Sequence, residues 1–103
     1  MQDAVGPVLR MGNEVEAVVA AIREDNPDTE IEVIDRGAYV RVQAPGKLVL
    51  TEETLREYLG EEFRIRSLEN MLTAFAGRIS TTSDRIEWES GARRKAGTTA
   101  GEA

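Results

Sequence analysis

The densest concentration of side chains able to do chemistry in this chain is a run of carboxylates: Glu52, Glu53, Glu57, Glu61 and Glu62. Paired carboxylates serve as general acid and base, or hold a hard cation through oxygen. Five glutamates spread over two or more helical turns do not converge on one point, and no Asp-x-Asp-x-Asp-Gly calcium loop accompanies them. A charged stretch of this kind is ordinarily a solvated helix face. A carboxylate hydrolase built here would lose its rate on Glu57→Gln, and only the glutamates speak for one. The 103 residues contain neither histidine nor cysteine. That removes ordinary zinc, haem and iron–sulfur ligation, the Ser-His and Cys-His nucleophile pairs, and any disulfide framework. Gly6, Gly12, Gly37, Gly46 and Gly60 are dispersed and form neither a dinucleotide fingerprint nor a phosphate loop. The residues thus describe a chain with no catalytic group, cofactor or metal of its own, whose surface is read by something else.

Thirteen basic against nineteen acidic side chains give a net charge of −6, which opposes contact with nucleic acid or an anionic membrane. The start, Met1-Gln2-Asp3-Ala4, has no basic segment leading into an apolar run, and no stretch approaches the roughly 18 apolar residues of a membrane span. The expectation is a cytoplasmic protein, monomeric when free. Arg93, Arg94 and Lys95 lie in a stretch from Gly91 onward that has no large apolar residue to anchor it. Three such charges confer solubility more often than they mark a phosphate contact.

The elements that position these residues follow from periodicity. Val5-Gly6-Pro7-Val8-Leu9-Arg10 predicts a first strand at a sheet edge, where a proline near the start costs little. Asn13 stands where a helix N-cap belongs, with Glu16 completing a capping box, and Val15, Val18, Val19 and Ile22 recur at helical spacing. The helix stops at Asp25-Asn26-Pro27. Strands over residues 30–34, 39–43 and 47–50 read as an antiparallel meander turned at Gly37 and Gly46. Thr51 caps a second helix carrying Leu55, Tyr58 and Leu59, which Gly60 ends. A third helix starts at Ser67, with Leu68, Met71, Leu72 and Phe75 continuing its apolar stripe up to Gly77. A hairpin of residues 78–81 and 85–89 closes the fold. The fold class is α+β, a compact single domain over residues 1–90 in the order β-α-β-β-β-α-α-β-β, followed by a flexible tail at 91–103.

Tyr39, Tyr58, Phe63 and Trp88 read as core or core-edge residues. Phe75 either caps the core or protrudes as an aromatic anchor for a partner, and both readings stay open.

Taken in order, Val5 to Arg10, Asp25-Asn26-Pro27, Ala38-Tyr39-Val40-Arg41-Val42, Leu48 to Thr51 with Leu55 and Leu59-Gly60, then Phe63 and Phe75-Ala76-Gly77-Arg78-Ile79 resemble one known family. It is that of the effector proteins, also called coupling or regulatory components, of soluble diiron multicomponent monooxygenases, in particular the toluene and alkene branch. The match runs over about residues 5–89, and its specificity lies in the whole series. The resemblance implies a cofactor-free protein that docks on the hydroxylase above its diiron centre, alters the geometry of that centre, restricts access to it and couples NADH oxidation to oxygen insertion. It implies a hydroxylase-docking stretch of Asn70, Met71, Thr73, Ala74, Phe75 and Gly77, with Leu72 and Ala76 between them. Here the chain departs from its relatives: Met71 fills a slot where they carry Asn or Asp, with Asn70 one place earlier, so no polar contact is carried to that slot. Methane-oxidising relatives also have a long N-terminal arm, whereas about four residues precede the first strand here, and functions of that arm are not transferred. The alternative is a small regulatory or scaffold domain binding a metabolite or an unrelated protein.

Overall fold

The computed structural model describes residues 3–90; the tail expected at 91–103 lies outside the described residues. The element order is β1 (Ala4–Arg10), α1 (Val15–Asp25), β2 (Glu32–Asp35), β3 (Tyr39–Pro45), β4 (Lys47–Thr51), α2 (Glu52–Leu59), α3 (Ile65–Glu69), β5 (Leu72–Ala76), β6 (Arg78–Thr81) and β7 (Arg85–Glu89). The α+β class holds, with one more strand than the sequence pattern predicts. No helix among the described residues is long and apolar enough to cross a membrane.

Among the described residues seven strands form two antiparallel sheets, ordered β2-β3-β1-β5 and β4-β7-β6. The meander expected over β2, β3 and β4 is therefore broken after its first hairpin. The turn at Gly46 carries the chain out of the first sheet, and β4 pairs with β7 instead of β3. Two backbone bonds pin that exit: the Gly46 N–H donates to Asp3 O at 2.9 Å, and the Ser90 N–H donates to Gly46 O at 2.8 Å.

The first strand also differs from expectation, because β1 is central and not an edge. Its proline is accommodated by a local gap in the ladder. Pairing with β3 runs at Ala4 and Val5 and resumes at Val8, leaving out Gly6 and Pro7. The Val42 carbonyl of β3 presses on Gly6 so closely that a Cβ there would lie 2.0 Å from its oxygen. Only glycine permits that approach, and Gly6 also has φ of 142°, which side chains disfavour.

The core lies between the sheets and the two longer helices. Val5, Leu9, Val40, Val42 and Ala44 supply the first sheet's share, and Leu48, Leu50, Ile86 and Trp88 the second's. The cross-strand pairs Leu48 with Trp88, Leu50 with Ile86 and Ile79 with Trp88 build the latter. The α1 helix buries Val15, Val18, Ala21 and Ile22, a stripe at helical spacing. It begins at Val15 without a side-chain cap bond, so the Asn13 capping box does not form. By contrast, α2 starts as its sequence requires. The Thr51 hydroxyl accepts from the Thr54 N–H at 3.2 Å, Glu52 and Glu53 occupy the first turn, and Gly60 ends the helix with φ of 107°.

The Asp25-Asn26 pair does more than end α1. Asp25 accepts from the Thr51 N–H at 2.8 Å, the Thr51 hydroxyl at 3.1 Å and the Thr54 hydroxyl at 2.6 Å. Asn26 takes both backbone groups of Val49, its Oδ1 accepting from the Val49 N–H at 3.1 Å and its Nδ2 donating to Val49 O at 2.7 Å. The same Nδ2 donates to Ile22 O at 2.7 Å. One amide thus satisfies the side of β4 that lacks a strand neighbour and a carbonyl at the end of α1.

Candidate docking surface

Residues 70–77 carry the sequence-predicted site, and the structure makes most of them a strand. The third helix ends at Glu69, far short of Gly77, because Asn70 and Met71 turn their amides back onto Ser67 O and Leu68 O at 3.2 and 2.8 Å. Its first amide, the Ile65 N–H, is capped by Glu52 Oε2 at 3.0 Å, while Glu52 Oε1 pairs with Arg56 at 2.8 Å. The Met71 carbonyl then accepts from the Arg10 N–H at 2.8 Å and opens the pairing of β5 with β1. The stripe expected of a helix through Phe75 is thus corrected: Leu72 to Ala76 form the edge of the first sheet.

Register on that edge is irregular. Leu72 pairs with Leu9, Ala74 with Val8, Phe75 with Pro7 and Ala76 with Gly6, so Thr73 is an extra residue, a β-bulge. Its hydroxyl donates to Val8 O at 3.1 Å. Thr73, Ala74 and Phe75 are exposed in succession, and Phe75 is 46% exposed, the highest value among the large apolar side chains left open. The ring is thus nearly half open to solvent, at the border of the sheet. Asn70 is also exposed, whereas Met71 is half-buried and packs against the core. Gly77 is the pivot between β5 and β6, with φ of 92° and Val5 Cγ1 and Glu89 O only 2.7 and 2.8 Å from where a Cβ would stand. The six residues therefore lie on one short margin of the molecule, with Phe75 as its large apolar projection.

Elsewhere the surface differs from expectation at two tyrosines. Tyr39 and Tyr58 are exposed, not core-edge. The Tyr58 hydroxyl donates to Glu24 Oε1 at 2.8 Å, tying α2 to α1. Glu57 also meets Glu24, and that hydrogen bond and the neighbouring charge raise the Glu57 carboxyl above its ordinary value, with Glu53 and Asp25 adding to the effect. The Tyr58 phenol is likewise raised, by its own bond to Glu24. Sequence spacing within α2 could not reveal this pair, since its second carboxylate comes from α1. Among the described residues no group of three or more acidic, histidine or cysteine side chains is placed to hold a metal ion. A groove of mixed polarity between α1 and β2, lined by Met11, Val15, Val19, Val33 and Val40 together with Asn13, Glu16 and Asp35, also escapes sequence reading because β2 contributes a wall.

Residues 3–89 match the family model described as MmoB/DmpM. The chain belongs to the MmoB/DmpM family. A curated relative, the effector subunit of the alkene monooxygenase system of Xanthobacter autotrophicus (strain ATCC BAA-1158 / Py2), is 36% identical over 87 residues, covering 84% of this chain and 86% of that protein. Among solved structures, a chain of the phenol hydroxylase–regulatory protein complex superposes with a TM-score of 0.72 at 28% identity, covering 84% of this chain and 97% of that one. The soluble methane monooxygenase regulatory protein B shares the MmoB/DmpM fold, with a TM-score of 0.66 at 23% identity over 93% of this chain and 73% of that one.

Proposed function

We propose that this chain is the effector subunit of a diiron multicomponent monooxygenase acting on an alkene or aromatic substrate, and that it docks on the hydroxylase through the β5 margin. The observation that carries the reading is membership of the MmoB/DmpM family, together with a 36% identical relative that is an alkene monooxygenase effector subunit. The protein works in the cytoplasm as a monomer until it meets the hydroxylase, and brings no cofactor to it.

Its action is a matter of differential binding. A partner shifts an equilibrium of the hydroxylase only as far as it prefers one state over another. A hundredfold to thousandfold gain in turnover needs about 3–4 kcal/mol of such preference at the limiting barrier. A patch with one aromatic anchor supplies energy of that order, and Phe75, with nearly half its surface in solvent, is the group available to be buried. Docking there lets the effector control substrate and solvent access and couple NADH oxidation to oxygen insertion.

The test is reconstitution of turnover with candidate hydroxylases and their reductases, reading product formed per NADH with and without this protein. A rise supports the reading. No change in any system, alongside binding of a small molecule in the α1–β2 groove, would favour a metabolite-binding regulatory domain. For the surface itself, Phe75→Ala should raise the half-saturating concentration about 30-fold, the loss of a ~2 kcal/mol anchor. An unchanged value in a folded variant removes the β5 margin from the interface.

A further inference from the structure

The β-bulge at Thr73 decides which way Phe75 faces. In a regular strand, residues three apart point to opposite faces. Leu72 pairs with Leu9, a fully buried core residue, and Phe75 pairs with Pro7, which is two places from Leu9 on β1 and also fully buried. Leu72 and Phe75 therefore share a face of the sheet although three residues separate them. The extra residue between Val8 and Leu9 of the register makes this so, since a slip of one residue exchanges the two faces of everything beyond it.

Without the bulge, continuing from Leu72 opposite Leu9, Thr73 would stand opposite Val8, Ala74 opposite Pro7 and Phe75 opposite Gly6. Ala74 would take the Pro7 position and the ring would turn to the other face. One side-chain bond marks the choice between the two registers: the Thr73 hydroxyl, donating to Val8 O at 3.1 Å across the disrupted ladder. It anchors the extra residue to β1 at the level where the pairing steps.

We propose that Thr73 is a positioning residue for the hydroxylase interaction: its hydroxyl holds the bulge that sets Phe75 on the Pro7 face, whether or not it touches the partner. This rests on the docking role given to Phe75 above. The alternative, that Thr73 matters only as a direct contact, makes different demands on its neighbours.

The experiment compares Thr73→Val, which keeps the branched shape and removes the hydroxyl, with Thr73→Ser, which keeps the hydroxyl, and uses Phe75→Ala as the reference. Each folded variant is read by the NMR contacts between Phe75 and Pro7 and by the half-saturating concentration in the hydroxylase assay. Thr73→Val should lose the Phe75–Pro7 contacts and raise the half-saturating concentration about tenfold, while Thr73→Ser should retain both. Contacts intact in Thr73→Val overturn the proposal: with weakened activation Thr73 acts on the hydroxylase directly, and with normal activation it does neither. Loss of both readouts in Thr73→Ser as well would overturn it too, since the hydroxyl would not be what matters. Normal activation by Phe75→Ala is a separate failure, that of the docking reading itself.

Discussion

Replacing Asn26 with aspartate tests the fold at one atom. The two side chains have nearly the same shape, so packing around position 26 is preserved and the change is electronic. Val49 N–H can only donate, which fixes Oδ1 toward it, and Ile22 O and Val49 O can only accept, which fixes Nδ2 toward them. In Asn26→Asp the bond from Val49 N–H survives, but a carboxylate oxygen now faces two carbonyls at the former 2.7 Å contacts. Each lost bond costs about 1 kcal/mol net, and carbonyls left without a donor in a partly buried site add to that, giving roughly 2–3 kcal/mol. This is a substantial part of the ~5–15 kcal/mol typical of a domain, and it corresponds to a 30- to 150-fold shift in the unfolding constant. Urea denaturation followed by the emission of Trp88, the single tryptophan and fully buried, measures it directly. The penalty should shrink as the pH falls towards about 4, because a carboxyl facing two carbonyls takes up its proton more readily in the folded state than in the unfolded chain and can then donate one bond again. A loss under about 0.5 kcal/mol at neutral pH would refute the claim that this amide joins α1 to β4.

Three further outcomes follow from other sites. Glu57→Gln should stabilise the fold at pH 7 and leave it unchanged near pH 4: the Glu57 carboxyl is raised in the folded state by its bond to Glu24, so the native state holds its proton longer than the unfolded chain, and stability falls as pH rises through the raised value; urea midpoints at the two pH values check it. Gly77→Ala should cost about 2–4 kcal/mol, combining a disfavoured φ with contacts under 3 Å to Val5 and Glu89, and a thermal melt within experimental error of the parent would contradict the pivot geometry. The net charge of −6 should make association with a hydroxylase bearing a basic rim slow as ionic strength rises, which stopped-flow mixing over a salt series will show.

The sequence was most readable where local chemistry decides the structure. Thr51 and Gly60 bracket α2 by capping and positive φ, and the alternation of Val40 and Val42 with Arg41 marks β3 without reference to anything distant. The second sheet's hairpin of β6 and β7 was equally local. What escaped was long-range pairing. Gly46 looks like a hairpin turn from its neighbours alone, yet the partner of β4 is β7, some forty residues on. The mistaken helix through Phe75 has a specific cause: the bulge at Thr73 puts Leu72 and Phe75 on one face, and a spacing of three on one face is also what a helix produces. The stretch proposed for docking was singled out by family resemblance alone, whereas the half-burial of Met71 and the exposure of Phe75 depend on β1 lying alongside.

The placement of β1 between β3 and β5 has a consequence for biosynthesis. During synthesis β1 cannot complete its flank until residue 76 is out, and β4 waits equally for β7. Until then the nascent polypeptide exposes apolar strand borders, and closure of both sheets is postponed to roughly the last fifth of translation of the folded body. Truncation before β5 should therefore yield an aggregating fragment rather than a smaller effector.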